Sequence, residues 1–243
     1  GDLFDTKNPT NESFARAMEI MSGPLLSQND IKLIQGIGKD ISNVSEIALM
    51  GTPIVAIHGN HERRAKGLLN PVEALEKAGF HKNDITDVFF THLHFDHCGG
   101  SIQWDKSRTG YEPAFKNAKY WSNLSHWSWA TNPNPREKAS FLKENINPIE
   151  ASGQLNFVNI PEGDLLKDSP VGFDILFADG HTEKQMIPHL QYQNKTLVFM
   201  ADLLPTVGHI PLPYVMGYDV RPLMTMDEKS KFLNTAADKG YYL

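Results

Sequence analysis

One cysteine, Cys98, stands in this chain of 243 residues, so no intrachain disulfide can brace it. No apolar run reaches the ~18 residues that a membrane-spanning helix needs. No secretory leader is legible, and the compartment expected is the cytoplasm, although the chain opens on Gly1 rather than Met. A surplus of positive charge is missing too. The net charge of −6 argues against a protein that holds nucleic acid by neutralising phosphates. Repeats and low-complexity tracts are absent. What is present is a globular composition, 40% hydrophobic and 21% charged, with enough apolar side chains for a sizeable core. The length suits one large domain or two small ones.

Apolar strand-like runs alternate with helical spacing, the pattern of an α/β architecture. Helices are expected over 11–21, twice within 28–50, and over 70–79, 122–131, 135–143 and 227–238. Strands are expected over 53–57, 86–91, 118–121, 155–160, 173–178 and 196–201. The richest stretch chemically is His92-Leu93-His94-Phe95-Asp96-His97, directly after the 86–91 run. Side chains alternate faces on a strand, which would turn His92 and His94 the same way. Gly99-Gly100 then lets the backbone turn. One metal can take the two imidazoles, and a second can take Asp96 and His97. Two further strand ends carry ligand-type residues, His181 and Asp202. Sites in open α/β folds gather at strand carboxyl ends, so these can converge on the first motif. Cys98 either lines the site or is a small buried spacer.

Between the motif and residue 130 lie Trp104, Tyr111, Phe115, Tyr120, Trp121, Trp127 and Trp129. They either wall an apolar pocket or pack a helix on the sheet. A Pro/Gly-rich loop follows Asp202, and His209 or Tyr214 on it could face a substrate.

The three-part pattern His92-x-His94-x-Asp96-His97, Gly180-His181-Thr182 and Ala201-Asp202-Leu203-Leu204 resembles the metallo-β-lactamase-fold hydrolases, in their lactonase and organophosphate-hydrolase branch. The resemblance runs from about residue 75 to residue 243. It implies an αβ/βα sandwich with His92, His94 and His181 on a first metal, Asp96 and His97 on a second, and Asp202 bridging both. Two divalent ions are implied, zinc first, with manganese, iron or cobalt suiting similar sites. Hydroxide formed at the metals would attack an ester or lactone carbonyl, and Asp96 or Asp202 would pass a proton to the leaving group. The family pattern also has a β-sheet before residue 80 and a final histidine ligand after the last helix. Neither is found in this sequence, so the domain expected over 81–243 is partial.

Residues 1–80 resemble a fragment of the calcineurin-like metallophosphoesterases, near the archaeal double-strand-break-repair exonucleases. The residues that carry this are Gly1-Asp2-Leu3-Phe4-Asp5 and Ile57-His58-Gly59-Asn60-His61-Glu62. Asp2, Asn60 and His61 would form a second, incomplete metal site. The whole then reads as a chimera of two truncated domains, with its seam near residues 76–80. Three functions are weighed: a dinuclear hydrolase of esters or lactones acting on a small molecule, a phosphoesterase or nuclease working through the N-terminal fragment, and a non-catalytic metal-binding hybrid. The sequence leaves the oligomeric state open.

Overall fold

The computed structural model describes residues 81–243; the helices and strands expected before residue 80 lie outside the described residues. The first sheet is parallel, in the order β1 (Asp87–Phe89), β4 (Lys119–Asn123), β5 (Leu155–Val158). Its register pairs Val88 with Tyr120 and Trp121 with Asn156. Parallel neighbours require long crossovers. The first crossover carries a short helix α1 (Phe95–Cys98) and a hairpin of β2 (Ile102–Trp104) with β3 (Tyr111–Pro113). The second carries α2 (Leu124–Thr131) and α3 (Lys143–Ala151).

The second sheet is antiparallel, β6 (Leu165–Leu166), β7 (Asp174–Ala178), β8 (Gln185–Tyr192), β9 (Lys195–Val198) in sequential order. Helix α4 (Pro222–Lys239) follows a long loop. Pro222 opens α4, where a missing N–H costs nothing, and Gly240 closes it at φ 64°, a left-handed cap that favours glycine.

Strand alternation decides the layers. On β4, Tyr120 faces α2 and α3 with Phe90, Trp127 and Ile149, while its neighbour Trp121 faces the other sheet. On β7, Ile175 and Phe177 join Trp121, Val158 and Met186 between the sheets. Ile187 and Ala178 turn the opposite way, onto Phe232 and Ala236 of α4. The result is four layers, helix on sheet on sheet on helix. A single backbone bond ties the sheets where it matters: Met186 N donates to Thr91 O at 2.8 Å, next to His92. Among the described residues no helix is long and apolar enough to cross a membrane.

Three elements differ from expectation. The 135–143 stretch is a chain of turns, because Asn134 Oδ1 accepts from the N–H groups of Arg136 and Glu137 and bends the chain locally. The helix comes later, as α3, and contains Pro148. Strand β8 contains Pro188, which cannot donate but whose carbonyl accepts from Phe199 N at 3.2 Å. Most of the aromatic stretch packs the sheet: Phe115, Tyr120 and Trp127 are core on the helical side and Trp121 between the sheets. Trp104 and Tyr111 stack at 4.3 Å on the exposed hairpin.

Candidate metal centre

The histidine motif does not sit on the strand. β1 ends at Phe89, and His92 to His94 follow as a loop that turns into α1. His97 N and Cys98 N both donate to His94 O, so α1 folds His97 back beside His92, with ring centroids 3.9 Å apart. Cys98 is the buried spacer of the two readings. Burial raises its thiol to about 12, and Sγ donates to Leu93 O at 3.3 Å.

His181 follows β7. Gly180 before it lies so close to α4 that a Cβ there would meet the Thr225 backbone N at 2.5 Å. Asp202 leaves a tight turn whose preceding residue, Ala201, has φ 44°, a left-handed conformation that costs a β-carbon-bearing residue about 1–3 kcal/mol. That strain aims the carboxylate inward. Asp202 Oδ2 lies 3.3 Å from Nε2 of both His97 and His181 and 3.9 Å from His92 Nε2.

Two groups of potential ligand atoms result, each within 4.8 Å: His92, His94 and His181, and His92, His97 and Asp202. Asp96 stands at the edge, its Oδ2 3.5 Å from His97 Nε2 and its side chain 31% exposed. His209 turns its Nδ1 to Thr206 Oγ1 at 2.9 Å, and Tyr214 is 62% exposed. The tyrosine set against the cluster is Tyr218, its ring centroid 5.8 Å from that of His181. Asp2, Asn60 and His61 lie outside the described residues.

Each imidazole of the first group has one nitrogen engaged away from the cluster. His92 Nδ1 meets Thr91 Oγ1 at 3.2 Å and the Gln185 amide at 3.3 Å. His181 Nδ1 is 2.9 Å from Asp219 Oδ1, and since a carboxylate only accepts, that nitrogen carries the proton. His94 Nε2 is 3.4 Å from Glu137 Oε1. Burial holds His92 and His94 below the ordinary imidazole range, His92 strongly, although Glu137 works against this at His94. Burial pushes the Asp202 carboxyl up, but His97 and His181 overcome it and hold it well below the usual carboxylate range. His92 and His94 held neutral beside an ionised Asp202 are ligand types that a divalent ion takes. The His92 Nε2 atom is buried and has no hydrogen-bond partner; in the tautomer protonated at Nδ1 its lone pair is unmet, and an ion would satisfy it. The residues fit a metal.

The sequence matches the metallo-beta-lactamase superfamily over residues 58–235. The chain belongs to that superfamily. The match begins inside the 1–80 stretch whose resemblance was to metallophosphoesterases. Among solved structures, a probable metal-dependent hydrolase from Staphylococcus aureus is similar at 25% identity and TM-score 0.59, covering 69% of this chain and 56% of that one. AidC, a dizinc quorum-quenching lactonase solved with a product, is similar at 24% identity and TM-score 0.56, covering 70% of this chain and 59% of that one. An N-acyl homoserine lactone hydrolase with product bound at its catalytic metal centre shares 16% identity at TM-score 0.53, covering 71% and 60%. The last two likenesses show the fold alone. In all three the chain spans less than two thirds of the relative's length. No curated protein matches.

Proposed function

We propose that this chain is a dinuclear metal-dependent hydrolase of small-molecule esters, with lactones as the substrate class. The observation that carries the reading is the position of Asp202 Oδ2, in reach of imidazoles from both ligand groups. His92, His94 and His181 would hold the first ion, Asp96 and His97 the second, and Asp202 both. Two divalent ions, zinc first, would supply an acidified water and polarise the substrate carbonyl. The other work falls to side chains. Asp96, more exposed than the rest of the cluster, is placed to hold a proton on its carboxylate and release it to the leaving alkoxide. Asp202, nearly buried, serves position more than proton traffic. Tyr218 stands where an incoming substrate would pass His181. Likeness to a dizinc lactonase and to an acyl homoserine lactone hydrolase supports the substrate class.

The test is metal content per chain, read beside turnover of a lactone panel and of a phosphodiester. We expect two equivalents of metal and lactone turnover that His94→Ala lowers at least about 100-fold and Asp2→Ala leaves intact. Phosphodiester cleavage abolished by Asp2→Ala would overturn the reading.

A further inference from the structure

We propose that Glu137 is a positioning residue of the metal centre, holding His94 with Nδ1 turned into the cluster and supplying negative charge behind it. The inference rests on the metal-centre reading above.

Glu137 is only 3% exposed, and four segments meet on its carboxylate. Oε1 accepts from Thr182 Oγ1 at 2.7 Å and faces His94 Nε2 at 3.4 Å. Oε2 accepts from Trp129 Nε1 and Asn134 Nδ2, both at 2.6 Å. Its own backbone N–H donates to Asn134 Oδ1 at 3.1 Å, so the residue is fixed at both ends. These four side-chain groups belong to α2, the turn after it, the first histidine motif and the His181 motif. The carboxylate therefore spans both ligand segments. Oε1 has room for a second donor, and His94 Nε2, buried 3.4 Å away with no other hydrogen-bond partner, is the group placed to supply it. That leaves Nδ1 as the nitrogen with a free lone pair, and Nδ1 is the atom 3.2 Å from His181 Nε2.

The charge makes the stronger argument. Thr182, Trp129 and Asn134 all donate to it, so two carboxylate oxygens suit the network where an amide would turn its NH2 against donors, yet no cationic side chain is among these partners to offset the buried anion. A buried anion is explained by positive charge nearby. Around the cluster stand three buried carboxylates, Asp202 among the ligand atoms and Glu137 and Asp219 behind His94 and His181, with Asp96 at the exposed edge. Divalent cations at the cluster would answer this buried negative charge.

The experiment compares wild type with Glu137→Gln, which keeps an oxygen for His94 Nε2 but removes the charge. Zinc affinity is measured by chelator competition, ligand field by the visible spectrum of the cobalt-loaded protein, and fold by the melting temperature of the metal-free protein. We expect Glu137→Gln to weaken zinc about 10–100-fold and to shift the cobalt bands, and to lower the metal-free melt as well, because its NH2 must face one of the buried donors. Unchanged zinc affinity, or a lowered metal-free melt with unchanged affinity, overturns the proposal. If Glu137→Gln fails to fold, Trp129→Phe keeps the charge but frees one side of the carboxylate. It should weaken zinc several-fold, and unchanged affinity in that variant likewise overturns the proposal. Wild-type protein that takes up neither zinc nor cobalt overturns the metal-centre reading itself.

Discussion

His126 is buried beside the ligand loop and fixed in one tautomer. Leu93 N donates to its Nε2 at 2.9 Å, so Nδ1 carries the proton that meets Glu183 O. The ring thereby joins the residue between His92 and His94 to the loop just after His181. Burial lowers its pKa from 6.5 to about 3, and a second proton would break the Leu93 bond. The unfolded chain binds that proton below pH 6.5 and the folded chain does not. Stability from this group is therefore complete above 6.5 and falls by about 1.4 kcal/mol per pH unit as pH drops towards 3. Denaturant titrations of metal-free protein at pH 7.5, 6.5 and 5.5 should show the fall, and His126→Gln should flatten it by one proton. An identical slope in the variant would mean that His126 titrates normally. The residues of the histidine cluster were legible at this scale because their spacing is local and each follows an apolar run. Glu137 and Asp219 were not, because the contacts that give them meaning reach across 45 and 38 residues. Tyr218, whose ring stands 5.8 Å from that of His181, escaped for the same reason.

Among the elements, the loop between Asp202 and α4 has little regular structure, yet it delivers Tyr218 and Asp219 to the site. It is held by cations on backbone carbonyls. Lys229 Nζ donates to the carbonyls of Pro211, Leu212 and Tyr214 at 3.0, 3.3 and 2.7 Å. Arg136 Nη2 donates to Gly217 O and Asp219 O at 2.8 and 3.0 Å. Lys229 is fully buried on α4, and burial pulls its ammonium below the usual lysine range. Lys229→Met should strand three carbonyls and cost about 2–4 kcal/mol. Limited proteolysis should then cut within 205–220 much faster than in wild type, and an unchanged cleavage rate would show the loop to be held by other means. The sequence foretold α4, α2 and the core strands, whose apolar periods are plain. It missed α3 and β8, where Pro148 and Pro188 read as breakers but tertiary packing buries Ile146, Ile149, Met186 and Ile187 all the same.

At the scale of the described residues as a whole, the candidate metal centre lies at the seam of two sheets, and its geometry depends on their staying together. Phe177 lies between them at 3% exposure, in the layer with Trp121 and Met186. Phe177→Ala should cost about 3–5 kcal/mol, and secondary and tertiary signals should melt together at the lower temperature. Two separated transitions would mean that each sheet folds alone. The layer order was expected from the resemblance, whereas the Met186–Thr91 bond that joins the layers at His92 was not, since nothing local marks it.

The cations on the Asp202–α4 loop grip dipoles rather than carboxylates. Counter-ions collect around exposed charges such as the Lys116–Glu112 pair and weaken them, but they cannot displace a carbonyl from a buried ammonium. The stretch of loop that Lys229 holds should therefore keep its shape at salt concentrations that screen surface ion pairs away.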